Sequence, residues 1–385
     1  MLSHLKIYFT HSRSWAVGLV FTAMGFLFGN WVTLIPYVKS KFELDDAQLG
    51  LLLLSMPLGS VMGNPLSTFI IGRFGMRNTT IWGMVMMSFA YALPVNSPTI
   101  LLTSLSLVLT GLALSTTNVA MNTCVTSIER DEKRNIMSTS HGMFSIGGML
   151  GATFSSIFIG FYIRPSVQML VVVLALFVMV YFIRPIILSI HEEKQPAEKG
   201  SKFSWPTGAL LGMIAISLCT NLTEGIMADW TAVYMKEIVQ TDAFFIGWGF
   251  SGYAFLMAAG RFLGDGLIPK FGRSKILIFG GLIASVGILV AVIFPFTYSA
   301  ILGFGLVGAG VSCAAPILYG SAARVPNMAK GAGLATMNTF SIAGFLIGPA
   351  LIGFLSNVYG LQIAISLVLV LSIIWTILSS RIKLF

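Results

Sequence analysis

Charged residues are scarce in this chain of 385 residues. Lys, Arg, Asp and Glu make up 10% of the sequence and hydrophobic residues 56%, whereas a soluble globular domain contains about 25% charged residues. A water-soluble particle of this size has too little interior to hide so many apolar side chains. The composition therefore excludes a soluble globular protein and predicts a protein embedded in a lipid bilayer.

Cysteine is also rare, and the sequence motifs of common enzymes are missing. Cys124, Cys219 and Cys313 lie in separate apolar stretches without metal-ligand spacing, so we interpret them as small packing residues. The sequence shows no nucleophile elbow, and the absence of a phosphate-binding Walker loop argues against a primary pump. We therefore expect no enzymatic activity, no metal and no cofactor.

Long apolar runs are what the sequence has in abundance. A run of about 20 apolar residues is long enough to cross the hydrocarbon core of a bilayer as a helix. The chain is therefore predicted to be an all-α membrane protein with twelve transmembrane helices. The predicted spans are residues 14–38, 47–71, 79–96, 98–127, 137–162, 165–188, 206–236, 243–268, 274–294, 297–323, 331–357 and 360–380.

The distribution of basic residues predicts the orientation. If the N-terminus is cytoplasmic, most Lys and Arg residues fall in cytoplasmic loops; Lys39, Lys41, Arg164 and Lys236 fall outside, and Arg261 lies within a span. This bias follows the positive-inside rule and predicts a multi-pass protein of the cell inner membrane with both termini in the cytoplasm. The net charge of +9 is scattered over short loops, so it does not indicate a nucleic-acid partner.

The chain is built from two similar halves. The only long polar stretch, "HEEKQPAEKGSKFSWP" at 191–206, has the composition of a linker. It predicts a six-helix bundle at 1–190, a cytoplasmic linker at 191–205 and a second six-helix bundle at 206–385. The phrases "FSIGG" (144–148) and "FSIAG" (340–344) recur at matching places. Two parallel repeats are typical of transporters whose site lies between halves that rock.

Two loops carry a resemblance to a known family. "GRFGMR" (72–77) and "PKFGRS" (269–274) resemble the signature loop of the major facilitator superfamily. "GRFLGD" (260–265) and "TEGIMADW" (223–230) are similar to its fucose-permease-like branch, in particular to bacterial inner-membrane proteins of the YbjJ type. The resemblance implies alternating access, a cavity lined by spans one, four, seven and ten, and transport of small sugars or other small polar solutes, often with protons.

The sequence departs from this family pattern at two places. Gly72 and Pro269 stand where the signature loop usually carries an acid, and Asn118 stands where the sugar-porter branch often has a glutamate. We therefore predict a substitute cytoplasmic gate made by Arg73, Arg77, Arg261, Asp265, Lys270 and Arg273. The alternative for Arg261 and Asp265, four residues apart, is a self-neutralising pair within one helix.

A few polar residues lie at membrane depth. Ionisable side chains there cost about 2.5–3.5 kcal/mol, so they usually face a cavity or a partner. Glu224 and Asp229 of the seventh span are accordingly predicted to couple transport to protons. The predicted substrate-binding residues are Asn30, Trp31, Asn118, Asn122, Asn221, Glu224, Trp230, Tyr253 and Asn338. Asparagine offers both a donor and an acceptor to hydroxyls and carbonyls. The alternatives are interfacial belt positions for the aromatic residues and an interhelical hydrogen bond for Glu224.

Three functions remain open from the sequence. The first is a secondary transporter of a sugar-like solute, coupled to protons, which the asparagines favour. The second is an efflux carrier for amphipathic compounds, with which 20 methionines and 29 phenylalanines are compatible. The third is a sensor or scaffold that no longer transports. The expected partners are a small-molecule substrate, a proton and the lipid bilayer, and we expect a monomer.

Overall fold

Twelve long helices make up the described part of the chain. The structure is a computed structural model that describes residues 8–133, 136–192, 205–206, 208–325, 328, 332–382 and 384, with the side chains of Asp265, Ala335 and Ile342 excepted. The helices are α1 (Ser12–Lys41), α2 (Asp46–Phe74), α3 (Met76–Asn96), α4 (Ile100–Glu132), α5 (Met137–Gly160), α6 (Pro165–Leu188), α7 (Ala209–Glu237), α8 (Trp248–Phe271), α9 (Arg273–Ile293), α10 (Thr297–Ala322), α11 (Ala332–Tyr359) and α12 (Leu361–Arg381).

The helices are suited to a bilayer. Eleven of them are long and apolar enough to cross a membrane, and α3, with 21 residues, completes the twelve. A helix satisfies its own backbone hydrogen bonds, which lipid cannot do. The predicted all-α architecture of twelve transmembrane helices is confirmed. The predicted linker lies outside the described residues except for His191, Glu192 and Trp205, so the division into two bundles stays a prediction.

Each half uses the same pairs of helices. In the first half α1 packs along α5, and α2 along α4; in the second half α7 packs along α11, and α8 along α10. The loops of the signature motif also correspond, because Gly75 between α2 and α3 has φ +81° and Gly272 between α8 and α9 has φ +83°. A side chain is strained in this region of φ, so both loops require glycine there.

Small residues allow the α1 and α5 backbones to touch. Gly25 and Gly29 of α1 face the α5 backbone, while Gly147 and Gly151 of α5 face the α1 backbone at Thr22 and Phe26. Without a hydrophobic driving force inside lipid, such close packing is a main source of helix association. The "FSIGG" phrase therefore forms half of a glycine seam within the first bundle.

Three pairs of long helices make most of the described contact between the two halves. α5 packs along α8, the first segment of α2 (Asp46–Leu53) packs on α11, and α1 touches α7. The last two contacts involve the helix ends that lie opposite the side where α1 begins and α12 ends. We call these the distal side and the terminal side. These two contacts join the halves on the distal side, whereas α5 and α8 pack along most of their lengths, from Gly160 beside Phe244 to Gly142 beside Phe262.

The glycine seam generates a stability prediction. A Cβ atom at Gly151 would overlap the backbone carbonyl of Phe26, whereas a Cβ at Gly72 meets open space. Gly151→Ala should therefore lower the free energy of unfolding by about 1–3 kcal/mol through overpacking. The melting temperature of the purified protein in detergent measures this, with Gly72→Ala as the matched control. Equal melting temperatures for the two variants would contradict close contact of α1 and α5.

Candidate functional site

A central cavity lies between the two halves. Its volume is about 420 Å³, and its wall comes mainly from α1, α2, α4, α5, α7 and α8. The family resemblance pointed to spans one, four, seven and ten; in the described part of the chain α10 contributes no lining residue. Aromatic rings cover much of the wall, namely Phe28, Trp31, Phe144, Phe250, Tyr253 and Phe345. This is a mostly apolar pocket with a few polar groups, as small-molecule sites usually are.

Five of the predicted substrate or proton residues line this cavity. They are Trp31, Asn118, Glu224, Asp229 and Tyr253. Glu224 and Asp229 lie on α7 and are half-buried. Neither carboxyl has a hydrogen-bond or ion-pair partner among the residues that the structure describes, so both are available to a ligand or a proton. The Tyr253 hydroxyl is buried, and it too lacks a partner there.

The other predicted substrate residues are not part of the cavity wall. Asn30 is buried and accepts a hydrogen bond from Gln168 Nε2 at 2.9 Å. Asn221 Nδ2 donates to the Ser341 carbonyl at 3.1 Å between α7 and α11. Both amides thus join helices to one another, because a buried amide needs a hydrogen-bond partner.

The remaining two polar residues and one aromatic residue have different surroundings. Trp230 is fully buried, and Asn338 is exposed on α11 outside the cavity wall. Asn122 Nδ2 donates to Asn118 Oδ1 at 2.9 Å, so Asn122 supports a cavity residue without lining the cavity. A direct substrate role for these residues has no support from the cavity geometry.

Arg261 lines the cavity, although its spacing to Asp265 predicted a gate residue. Its Nη1 donates to Ser145 Oγ at 2.6 Å and to the His141 carbonyl at 3.3 Å, both on α5. These bonds cross from one half to the other and hold the guanidinium at the cavity. The side chain of Asp265 lies outside the described residues, so the predicted pair with Arg261 stays a prediction.

Sequence reasoning missed a polar group on α2. Asn64 lines the cavity, and its Oδ1 accepts a hydrogen bond from Ser115 Oγ of α4 at 2.6 Å. The signal was present, since Asn64 directly follows the small-residue pattern "GSVMG" (59–63). Small residues four apart are typical of close helix packing, and the pattern gives no sign that the following amide faces a cavity.

A polar stripe connects the cavity with the terminal side. Asn118, Asn122 and Thr126 recur every four residues on α4 and so share one face of the helix. Asn118 and Thr126 are exposed, and Asn122 is half-buried. Because the halves are joined on the distal side, this stripe marks the terminal side as the open entrance of the cavity.

The distal side is closed by a set of ionic contacts, which we call the distal clasp. Lys39 Nζ lies 2.7 Å from Glu237 Oε1 across the halves and 2.5 Å from Asp46 Oδ1. Lys236 Nζ of the second half donates to two groups of the first half, Ser40 Oγ at 2.7 Å and the Pro36 carbonyl at 3.4 Å. The matching ends of α1 and α7 thus exchange lysine contacts.

A second contact of the distal clasp joins α2 to α11. Ser356 donates a hydrogen bond to Asp46 Oδ2, so Asp46 accepts from Lys39 and from the second half at once. Lys39 is only 12% exposed, which limits screening by water and salt. The clasp therefore holds the distal ends of both halves together.

The predicted gate cations on the terminal side bind within their own half. Arg77 Nε lies 2.8 Å from Glu192 Oε2, and Arg77 Nη1 donates to the Leu188 carbonyl at 2.7 Å. Arg73 and Lys270 lie over the rings of their sequence neighbours Phe74 and Phe271, and Arg273 is half-buried at the start of α9. Glu192 thus supplies the acid that the signature loop lacks at Gly72.

The described residues contain no group of three His, Cys, Asp or Glu side chains that could hold a metal ion. The amides, carboxyls and ring faces of the cavity can bind a solute or a proton reversibly through hydrogen bonds, charge and stacking. Movement of the halves would then change the side from which the solute is reached.

Comparisons with known proteins agree with this geometry. The family model described as Major Facilitator Superfamily matches residues 16–237 and 209–383. An uncharacterized MFS-type transporter of Yersinia pestis is 30% identical over 362 residues, which cover 94% of this chain and 93% of that protein. The superfamily resemblance of the two loops is thereby confirmed, while the YbjJ-type branch stays a prediction.

Two solved structures share the fold. The nucleoside transporter NupG superposes with a TM-score of 0.72 at 11% identity, covering 96% of this chain and 99% of that one. The Escherichia coli fucose:proton symporter FucP superposes with a TM-score of 0.62 at 15% identity, covering 96% and 98%. At these identities the likeness concerns the fold alone.

The distal clasp generates a prediction about accessibility. Lys39→Glu places like charges together, so the distal side should open more often and expose the cavity there. In a background with Cys124, Cys219 and Cys313 replaced by alanine, a cysteine introduced by Ala228→Cys reports this through an impermeant thiol reagent added on the distal side. We expect labelling to rise a few-fold, because partly exposed ion pairs contribute about 0.2–1 kcal/mol.

The control substitutions for this prediction lie on the same distal surface. Glu43 is exposed beside the clasp, and Glu43→Lys should leave labelling unchanged. Adding Glu237→Lys to Lys39→Glu should restore the attraction and return labelling toward the original rate. A Lys39→Glu variant that labels no faster than the parent protein would show that the clasp does not hold the distal side closed.

Proposed function

Because the chain belongs to the major facilitator superfamily, we propose that it carries a small, polar, sugar-like solute across the inner membrane, driven by protons. The chain is a membrane transporter and not an enzyme, as its family and its transporter relative indicate. One observation carries the finer proposal: the central cavity combines aromatic rings with Glu224, Asp229 and the Tyr253 hydroxyl, which have no hydrogen-bond partner among the described residues.

The cavity offers suitable contacts for a hydroxylated ring. A volume of about 420 Å³ lies within the range of about 300–1,000 Å³ that small-molecule pockets have. Asn118, Asn64 and the Tyr253 hydroxyl provide hydrogen-bonding groups on opposite walls. Trp31 provides a flat apolar face against which a sugar ring can stack. The nucleosides and fucose named for the two solved neighbours are also hydroxylated ring compounds.

Glu224 is the residue that we assign to proton coupling. It lines the cavity with no hydrogen-bond or ion-pair partner in the described part of the chain, and it shares the wall with Arg261. A carboxyl that gains and loses a proton changes the charge of the cavity by one unit, which changes the cost of enclosing it in an apolar surrounding. The proton would thereby make closure of the halves depend on the gradient. Asp229 is the second candidate.

The aromatic wall also favours a second candidate function. Phe28, Phe144, Phe250 and Phe345 would suit an amphipathic compound, and the cavity includes Met56 and Met257, whose side chains adapt to varied shapes. An efflux carrier would bind lipophilic compounds and ignore sugars. A screen of both classes for a rise in melting temperature separates the two candidates, because a ligand stabilises the folded state in proportion to its saturation.

The orientation in the membrane is part of the proposal. We place the terminal side, including the open entrance, in the cytoplasm, because the basic loop residues Arg73, Arg77, Lys270 and Arg273 lie on that side. The distal clasp then faces the periplasm or the cell exterior. We further propose that a single chain is the transporting unit, since one cavity between two halves is sufficient for alternating access.

The proton assignment predicts the behaviour of Glu224→Gln. The amide keeps the shape of the side chain but cannot carry a proton, so solute exchange should persist while accumulation driven by a pH difference is lost. Uptake into proteoliposomes of a solute found in the screen measures both processes. Glu43→Gln, which removes an exposed loop carboxyl, should keep both. Accumulation by Glu224→Gln under a pH difference would overturn the assignment.

The solute contacts predict the effect of Asn118→Ala. Loss of one partner leaves a solute group unpaired at a cost of about 1–3 kcal/mol, which corresponds to affinity weaker by roughly tenfold or more. The dissociation constant from ligand-dependent thermal unfolding is the measurement. Asn96→Ala is the matched control, because Asn96 is exposed and bonds only within its own helix. An unchanged affinity in Asn118→Ala would remove α4 from the binding site.

A further inference from the structure

The charge of the cavity wall is opposite to that of the chain. The chain has a net charge of +9, yet the wall contains two carboxyls, Glu224 and Asp229, and one cation, Arg261. Arg261 is held by Ser145 and the His141 carbonyl on α5. One carboxyl therefore has a cation to balance it within the wall, and the other does not.

Helix geometry indicates which carboxyl lacks a counter-charge. Glu224 precedes Glu237 by thirteen residues and so lies about 20 Å from the distal end of α7. Asp229 precedes Glu237 by only eight residues and lies about 12 Å from that end. Gly247, directly before α8, lies against Thr33, which precedes Lys39 by six residues. Arg261, fourteen residues beyond Gly247, therefore lies about 30 Å from the level of Lys39. Glu224 therefore lies between Arg261 and Asp229 in depth, and Asp229 is about 7 Å closer than Glu224 to the distal side, away from the cation of the wall.

Aromatic rings surround the level of Asp229. Trp31 precedes Lys39 by eight residues, as Asp229 precedes Glu237, and Lys39 and Glu237 are in contact at 2.7 Å. Trp31, which is 2% exposed, and Asp229 are therefore at the same depth. Phe28 lies about one turn closer to the terminal side, and its ring centre is 6.0 Å from that of Phe250. The ring centre of Phe250 is 5.7 Å from that of Tyr253.

The hydroxyl of Tyr253 is a second, independent sign of a ligand. Tyr253 is 3% exposed and lines the cavity, and its oxygen has no hydrogen-bond partner in the described residues. An unpaired buried hydroxyl costs free energy unless a ligand supplies the missing bond. An ammonium group provides several donors for such oxygens and is also attracted to ring faces.

We infer that the transported solute is a small organic cation, whose protonated amino group binds Asp229 among the rings of Trp31, Phe250 and Tyr253. This inference rests on the proposed transport function and narrows its solute to a hydroxylated amine, with the hydroxyls directed to Asn118 and Asn64. An inorganic cation is poorly matched, because it requires several oxygen ligands and ring faces supply none. The positive charges of the bound amine and of Arg261 then equal in number the negative charges of Asp229 and Glu224.

Matched pairs of probes test the charge requirement on the unmodified protein. Glucosamine is compared with glucose and with N-acetylglucosamine, which have the same ring without a positive charge. Tyramine is compared with 4-hydroxyphenethyl alcohol as an aromatic pair. Thermal unfolding in detergent at pH 7, over a range of probe concentrations, gives the dissociation constants. We expect one or both amines to bind at least about tenfold more tightly than their neutral partners.

The variant Asp229→Asn tests whether Asp229 causes the preference for amines over neutral compounds. It should remove the discrimination between the amine and its neutral partner, while Asp242→Asn, which removes an exposed carboxyl of the distal surface, should keep it. If Asp229→Asn does not fold, protection of a neighbouring site tests the point: in the background without native cysteines, excess glucosamine but not glucose should slow the reaction of a cysteine introduced by Ala228→Cys, directly beside Asp229, with a methanethiosulfonate reagent. Equal labelling with both sugars would overturn the placement of the amine at Asp229.

The outcomes separate this inference from the proposed function. Neutral sugars that bind as tightly as amines, or a preference that survives in Asp229→Asn, would overturn the cationic solute and leave sugar transport in place. A panel in which no amine stabilises the protein overturns the inference as well. Binding by lipophilic compounds alone would contradict both the cationic hydroxylated solute and the sugar-like solute of the proposed function.

Discussion

The cost of placing an ionisable side chain inside a bilayer determines where this molecule can be polar. Each such group needs a partner or an aqueous cavity, and the described charges follow that rule. Lys39 and Arg77 are bound to carboxylates at opposite helix ends, and Arg261 is bound to α5. Among the side chains that the structure describes, Glu224 and Asp229 are the carboxyls at membrane depth without an ion pair or hydrogen bond, and both line the central cavity. The functional groups are therefore those that the protein itself does not neutralise.

The contacts within each half differ in kind from the contacts between the two halves. Within each half, glycines bring helices into backbone contact, as Gly151 does with Phe26. Such close packing fixes the relative positions of the helices, because it depends on surfaces of matching shape. Between the halves, the distal contacts combine a close approach of Gly50 to Gly353 with ion pairs and hydrogen bonds around Lys39 and Asp46. The polar groups of these contacts can bind water instead when the halves separate at the membrane surface, whereas groups inside lipid cannot. This difference suits a movement in which the halves stay intact and the distal contacts between them break.

The sequence predicted the helices far better than the cavity wall. The span 165–188 agrees with Pro165–Leu188 because length and hydropathy determine a transmembrane helix. In contrast, Asn30 and Asn118 look alike in a sequence, yet one joins α1 to α6 and the other lines the cavity. These helices are apolar on most faces, so no periodic pattern tells which face meets a neighbour. Partners such as Gln168 for Asn30, or Ser145 for Arg261, depend on contacts between distant segments.

The central claim is that one cavity opens alternately to the two sides. Pairs of spin labels test it directly: one pair on the terminal side, replacing Thr126 of α4 and Ala323 after α10, and one on the distal side, replacing Glu43 and Asp242, in a background without the three native cysteines. The account predicts that Lys39→Glu shortens the terminal distance and lengthens the distal distance within the same sample. Distances that stay constant, or that change in the same direction on both sides, would contradict alternating access in this protein.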